Sequence, residues 1–136
     1  MLCLSSKIDY ALIALAYLAE HESATFASAR EIAEAQNLPL PLLMKILKRL
    51  HRHAVVRSVR GTKGGYQLQA NLDRLSLFDL IGLVEDDKPL QKKHRHGPVQ
   101  ALQFRLIRFL GDVKLSDLVI PGRRIDVPLE RLALSA

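Results

Sequence analysis

The sequence predicts a mainly helical fold with one small β-hairpin, and three observations lead to this prediction. First, residues 57–68 read Arg-Ser-Val-Arg-Gly-Thr-Lys-Gly-Gly-Tyr-Gln-Leu, in which strand-forming residues flank a glycine-rich turn. Second, two short helical segments precede this hairpin and are separated by a tight turn. Third, the second of these segments is apolar on one side and cationic on the other. Together they predict a winged helix-turn-helix domain, which a C-terminal dimerisation helix follows.

Length, charge and cysteine content limit the possible classes of protein. The chain has 136 residues, 49% of them hydrophobic, and this suffices for about one domain with a buried core. The net charge is +6, and residues 40–74 contain eight Lys or Arg against the single acidic residue Asp73. Such a local basic surface is typical of a nucleic-acid partner. One cysteine, Cys3, fits a reducing compartment. Because the sequence shows no signal peptide or membrane span, we expect a cytoplasmic protein.

Capping signals place four helices before residue 87. A helix begins where Ser can accept hydrogen bonds from free backbone N–H groups, or where proline stands in the first turn. The first helix is apolar on most sides, which predicts contacts with its own domain and with a further surface such as a second subunit. Ser6 is the expected cap of the first helix, Ser28 and Glu31 form a capping box before the second, and Ser76 and Asp79 cap the fourth. The predicted helices run from Ser6 to about His21, from Ala29 to about Gln36, from Pro41 to about His53 and from Ser76 to about Glu85.

Cations on the third helix and the hairpin are the candidate nucleic-acid contacts. On a helix the Lys and Arg side chains lie opposite the apolar stripe, and the hairpin tip can reach a DNA backbone or a minor groove. The alternatives are a merely solvated surface or a phosphate-cradling enzyme loop, but the spacing of that loop is absent. The candidate DNA-binding residues are Lys45, Lys48, Arg49, Arg52, Arg57, Ser58, Arg60, Gly61, Lys63, Gly64, Gly65 and Tyr66.

The C-terminal part of the chain predicts a dimer. Residues 1–86 form the predicted winged domain, residues 87–98 a polar loop, and residues 99–136 a dimerisation helix with a tail. One more apolar stripe than a small domain can cover suggests that this helix meets a partner helix, which predicts a homodimer. A short helical turn after Lys114 and a last helix from Pro128 to Leu134 are also expected. The stripe consists of Val99, Leu102, Leu106, Phe109 and Leu110.

Short segments of residues 1–86 match a known family. They are LSSK at 4–7, YAL at 10–12, AYLA at 16–19, IAE at 32–34, LMKIL at 43–47, VRSVRG at 56–61, GGYQL at 64–68, LFD at 77–79 and VE at 84–85. This pattern resembles the iron–sulfur-cluster regulators, the Rrf-two type of bacterial winged-helix repressors. The resemblance implies a dimeric transcription factor, and the family consists of repressors. Two recognition helices related by a two-fold axis would match a pseudo-palindromic operator. The resemblance also implies a recognition helix in the major groove and Arg60 of the wing in the minor groove.

The sequence departs from this family at the cluster loop. Cluster-binding members have three cysteines there, whereas residues 87–98 contain none, and Cys3 is remote. Because thiolates hold iron–sulfur clusters, we predict that the chain has no cluster and no other cofactor. His96 lies about where some members have a histidine ligand. The recognition helix also departs at Pro39, Pro41 and Met44, so that the operator of the relatives does not carry over.

Other residues with possible chemistry have simpler interpretations. The pair His51 and His53 suits a basic helix end better than a metal site, while His94 and His96 leave weak Zn or Ni binding open. No nucleophile, base and orienting group stand together, so catalysis has no support and we predict that the protein is not an enzyme. Two functions remain: a sequence-specific DNA-binding regulator, or a winged-helix module for protein interaction. Steep salt dependence of duplex binding is expected only for the first.

Overall fold

The computed structural model describes residues 5–21, 25–85 and 97–119. These residues form helices and one antiparallel hairpin, which confirms the predicted mainly helical fold. A single 3-10 turn, Leu72–Arg74, connects the hairpin to the fourth helix. The helices are α1 (Ser6–Glu20), α2 (Ala29–Gln36), α3 (Leu40–Arg52), α4 (Leu77–Val84), α5 (Pro98–Asp112) and α6 (Leu115–Val119), and the strands are β1 (Val56–Val59) and β2 (Gly65–Leu68).

The helix starts follow the capping signals in two cases and differ in a third. At α2, Glu31 N–H donates to Ser28 Oγ at 3.1 Å and Ser28 N–H donates to the Glu31 carboxylate at 2.8 Å. The capping box at Ser76 and Asp79 has the same geometry. The prediction that Ser6 caps α1 is wrong, because Ser5 is the N-cap residue and caps with no side-chain hydrogen bond. Its hydroxyl donates instead to Glu85, which follows α4.

The core of the domain lies between α1, α3 and α4. The predicted apolar stripe of α3 is fully buried there. It consists of Leu43, Ile46, Leu47 and Leu50. The end of α5 and the short α6 join the same core through Leu110, Leu115 and Val119. Two backbone hydrogen bonds of 2.8 Å connect the segment between α5 and α6 to the start of α4. They run from Leu77 N–H to the Val113 carbonyl and from Leu115 N–H to the Leu75 carbonyl. The predicted helix at Pro128–Leu134 lies outside the described residues, as does most of the predicted loop 87–98.

The hairpin is joined to the helical core through the segment that precedes α2. Strands β1 and β2 pair in antiparallel register, with Val56 opposite Leu68 and Val59 opposite Gly65. On the other edge of β2, Tyr66 exchanges two backbone hydrogen bonds with Ala27, at 2.9 and 2.7 Å. The hairpin therefore has neighbours on one side and a free tip at residues 60–64. No described helix is long and apolar enough to cross a membrane.

Candidate nucleic-acid interface

Helix α3 presents a cationic face to solvent. Its N-cap is Pro39, and the turn before it is closed by Asn37, whose φ of 53° lies in the left-handed region that asparagine tolerates. The helix buries Leu43, Ile46, Leu47 and Leu50 on one side, and the residues on the opposite side therefore face solvent. The exposed side chains on that outer face are Pro41, Met44, Lys45, Lys48, His51 and Arg52. Three of the predicted DNA contacts, Lys45, Lys48 and Arg52, thus lie on one surface.

The structure places Arg49 differently from these three cations. Its side chain is half-buried, and one guanidinium nitrogen donates to the Val84 carbonyl at 2.9 Å. Val84 is the last residue of α4, where backbone carbonyls lack partners within the helix. Arg49 therefore connects α3 to the carboxyl-terminal end of α4, a role that the charge pattern of α3 did not predict.

Two glycines of the hairpin, Gly64 and Gly65, stand where an added Cβ atom would clash with backbone atoms. Gly64 lies so close to the end of β1 that a Cβ atom there would stand 2.9 Å from the Val59 carbonyl carbon and 2.8 Å from the Arg60 carbonyl carbon. Gly65 has a φ of 146° and also faces the segment before α2, where a Cβ atom would stand 2.7 Å from the Ser28 nitrogen. Both glycines thus shape the hairpin. The turn leaves the side chains of Arg60 and Lys63 exposed at the tip, as predicted.

Side-chain contacts fix the base of the hairpin. Arg57 donates to the Gln67 amide oxygen on the opposite strand, with its Nε at 2.7 Å, and its guanidinium lies 5.4 Å from the centre of the Phe26 ring. Ser58 Oγ is 3.3 Å from His51 Nε2, which connects β1 to the end of α3. Tyr66 is half-buried against the core. Arg57, Ser58 and Tyr66, which were predicted as DNA contacts, therefore also hold the hairpin against α3 and the segment before α2.

The predicted dimer stripe on α5 is exposed over most of its length. Val99, Leu102 and Phe109 are 69%, 57% and 54% exposed, and Leu106 is half-buried. Leu110, which was predicted for the same interface, is 5% exposed and belongs to the core of its own chain. The sequence prediction missed Phe104, also highly exposed, because it lies off the heptad-like spacing of the stripe.

Two features of the interface region could not be found by spacing in the sequence. Lys7 at the start of α1 lines one cavity together with Lys45 and Arg49, although at least 38 positions separate it from them. Phe26 lies beneath Arg57 only because the segment before α2 pairs with β2. A contact between residues so distant in the chain has no periodic signal, so that only the packing of the helices shows it.

Metal ligands do not converge in the described part of the chain. Within it, no three His, Cys, Asp or Glu side chains are placed to hold a metal ion. His51 and His53 are on the solvent side of the end of α3, with His51 beside Ser58. Cys3, His94 and His96 lie outside the described residues, and the open possibility of weak metal binding by the two histidines stays untested.

Known proteins share both the sequence pattern and the fold. A protein of Aquifex aeolicus, provisionally named an HTH-type transcriptional regulator, is 39% identical over 82 residues, which are 60% of this chain and 56% of that protein. The chain thus spans little more than half the length of that relative. The regulator IscR of Sodalis glossinidius is 31% identical over 91% of this chain and 82% of its own length.

A solved structure and a family model agree with these relatives. CymR, the global cysteine regulator of B. subtilis, has a TM-score of 0.71 and 26% identity over 88% of this chain and 97% of its own. The model of the Rrf2 family, described as an iron-dependent transcriptional regulator, matches residues 4–119. Members of this family are transcriptional regulators and not enzymes. The chain belongs to the Rrf2 family of winged helix-turn-helix transcriptional regulators.

Proposed function

We propose that this chain is a dimeric, sequence-specific DNA-binding repressor. The observation that supports this proposal most strongly is the set of exposed cations on the outer face of α3 and at the hairpin tip, two elements that the contact of Ser58 with His51 joins. From residue 40 to residue 72 the chain has seven Lys or Arg and no Asp or Glu. A surface of one sign attracts the DNA backbone, and a helix with exposed side chains fits the major groove.

In this proposal, α3 and the hairpin have separate tasks. Helix α3 lies in the major groove with Met44 and Lys45 towards the bases and Lys48 and Arg52 on phosphates. The hairpin tip follows the backbone and inserts Arg60 into the adjacent minor groove, where a narrow groove attracts a guanidinium. The contact of Ser58 with His51 would keep the two elements at a fixed spacing, and the hydrogen bond of Arg57 with Gln67 would hold the two strands of the hairpin together.

The exposed stripe of α5 supports the proposed homodimer. Large apolar side chains such as Leu102 and Phe109 lose contact with water when a second copy covers them, and this burial is favourable. The ends of α5 and α6 are held on the core of their own chain, so the helix would carry the winged domain with it. A two-fold axis through α5 would relate two recognition helices and match a pseudo-palindromic operator.

The iron in the family description does not fit the donors of this chain. An iron–sulfur cluster takes several thiolates, and the chain has one cysteine in 136 residues. The described residues add no convergent group of His, Cys, Asp or Glu. We therefore propose a regulator without a resident cluster, and no part of the proposed DNA-binding mode depends on iron.

Selection of bound sequences from a random duplex pool, followed by titration of the selected duplex, tests the proposal. Arg60→Ala should reduce the preference for A·T-rich flanks, since a wing Arg reads groove shape. Lys48→Ala should weaken all duplexes alike and reduce the slope of log affinity against log salt by about 1. Lys114→Ala removes an exposed cation between α5 and α6 and is the control, expected to leave binding unchanged.

The same titrations distinguish the DNA regulator from a winged-helix module for protein interaction. A DNA-binding protein loses affinity steeply as salt rises, because counterions return to the phosphates. If no sequence is enriched from the pool, and if Arg60→Ala and Lys48→Ala bind duplexes like the wild type, the DNA-binding proposal is refuted.

A further inference from the structure

A cavity of about 360 Å³ lies where the start of α1, the first turns of α3 and the end of α4 meet. This volume lies at the lower end of the range for small-molecule sites. Of the residues that line it, only Lys45 also takes part in the proposed DNA contacts. The described residues around the cavity are Lys7, Leu42, Lys45, Ile46, Arg49 and Val84.

The charged side chains among the described residues of this cavity are all cations. Lys7 belongs to α1 and Lys45 to α3, and both line the cavity. Arg49 also lines the cavity, and it donates a hydrogen bond to the Val84 carbonyl at the end of α4. The next residue, Glu85, accepts a hydrogen bond from Ser5 and is not among the lining residues. No Asp or Glu is among the described lining residues, and the cavity therefore favours an anion.

The rest of the wall is apolar. This apolar part of the wall consists of Leu42, Ile46 and Val84, of which the last two are almost fully buried in the core. A bare inorganic anion would leave this wall without contact, whereas an anion with an apolar body would cover it. Two lysines against an apolar wall thus define the chemical class of ligand.

We propose that the cavity binds a small organic anion, a carboxylate or phosphate with an apolar body, and that this ligand weakens DNA binding. The charged group meets Lys7 and Lys45, and the body lies on Leu42, Ile46 and Val84. Lys45 is shared between the cavity and the cationic face of α3, so that a bound anion removes its charge from the DNA contact. This second part depends on the proposed function, and the binding of the anion does not.

Calorimetry with phenyl phosphate and with inorganic phosphate, at constant ionic strength, tests the binding. The wild type should bind phenyl phosphate at least about ten-fold more tightly than inorganic phosphate, because the ring covers the apolar wall. Lys7→Gln and Lys45→Gln should each weaken phenyl phosphate at least about ten-fold, since hydrogen bonds to charged groups are the strong ones. Lys48→Gln removes the same charge from the same helix outside the cavity, and should leave binding within about two-fold.

A cooperative thermal unfolding transition of each variant serves as the control that the variant is folded. Because Lys45 is exposed, we expect Lys45→Gln to leave the core unchanged. Equal binding of phenyl phosphate by wild type, Lys7→Gln and Lys45→Gln, or no binding by the wild type, overturns the proposal.

Duplex titrations with and without phenyl phosphate test the effect on DNA. The compound should weaken duplex binding by the wild type and by Lys48→Gln, and should have no effect on Lys7→Gln. If Lys7→Gln by itself weakens all duplexes and no phenyl phosphate binds, Lys7 contacts a DNA phosphate and the ligand site is refuted. If phenyl phosphate binds as expected but Lys48→Gln leaves duplex affinity and its salt slope unchanged, the proposed DNA-binding mode fails and the anion site stands.

Discussion

Replacing Gly65 by alanine should open the hairpin, because two separate costs meet at this residue. Its φ of 146° is a backbone conformation that side chains rarely adopt, and holding alanine there costs about 1–3 kcal/mol. The added Cβ atom would also stand 2.7 Å from the Ser28 nitrogen and closer still to the Ala27 carbonyl group, all of them backbone atoms. Such overpacking typically costs a further ~1–3 kcal/mol. We expect Gly65→Ala to lower the free energy of unfolding by about 2–6 kcal/mol.

Two other glycines serve as comparisons: one has the backbone cost alone, and the other has neither cost. Gly61 has a φ of 120° but open space around its Cα, so Gly61→Ala should show the backbone cost alone, about 1–3 kcal/mol. Gly82 lies in α4 with nothing within 4 Å of an added Cβ atom. Gly82→Ala should therefore raise the free energy of unfolding by roughly 0.5–1 kcal/mol, the usual gain from alanine within a helix.

Urea unfolding followed by circular dichroism, at one protein concentration, measures all three variants. Duplex titration then shows whether a displaced hairpin also loses DNA affinity. Equal losses for Gly65→Ala and Gly61→Ala would mean that the backbone of Ala27 and Ser28 moves freely. Unchanged stability of Gly65→Ala would refute the close approach itself.

Four further predictions concern other parts of the chain. Changing Leu102 and Phe109 together to Asp should give a monomer with an intact winged domain by light scattering and circular dichroism, and a wild-type monomer at micromolar concentration would refute the dimer. Arg49→Ala should lower the free energy of unfolding by about 1.5–3 kcal/mol, because the Val84 carbonyl loses a charged donor, and an unchanged urea midpoint would contradict this. Ser116 is 1% exposed and its hydroxyl has no hydrogen-bond partner among the described residues, so Ser116→Ala should raise stability by about 1 kcal/mol, and a loss would show a hidden partner. Anaerobic purification followed by iron and sulfide assays should find no cluster, whereas stoichiometric iron with labile sulfide would disprove the ligand count.

The sequence alone determined the helical elements because their signals are local. The capping boxes at Ser28 and Ser76 are each read within four residues, and the structure shows both with the expected hydrogen bonds. The stripe of α3 was predicted for the same reason, since spacing along one helix fixes which side chains share a face. The N-cap of α1 was predicted one residue too late, because Ser5 and Ser6 are equivalent caps by residue type, and the structure has Ser5 at the N-cap with its hydroxyl bonded to the distant Glu85.

The tertiary structure decided which residues of the same type have different surroundings. Lys48 and Arg49 are adjacent cations on α3, yet one is exposed and the other donates to the end of α4. Leu106 and Leu110 belong to one predicted stripe, yet only Leu110 is buried in its own chain. Lys7 and Lys45 line the same cavity, which the spacing of residues in the sequence does not indicate. Periodicity fixes the face of one helix, but the faces that meet depend on how helices distant in the sequence pack together.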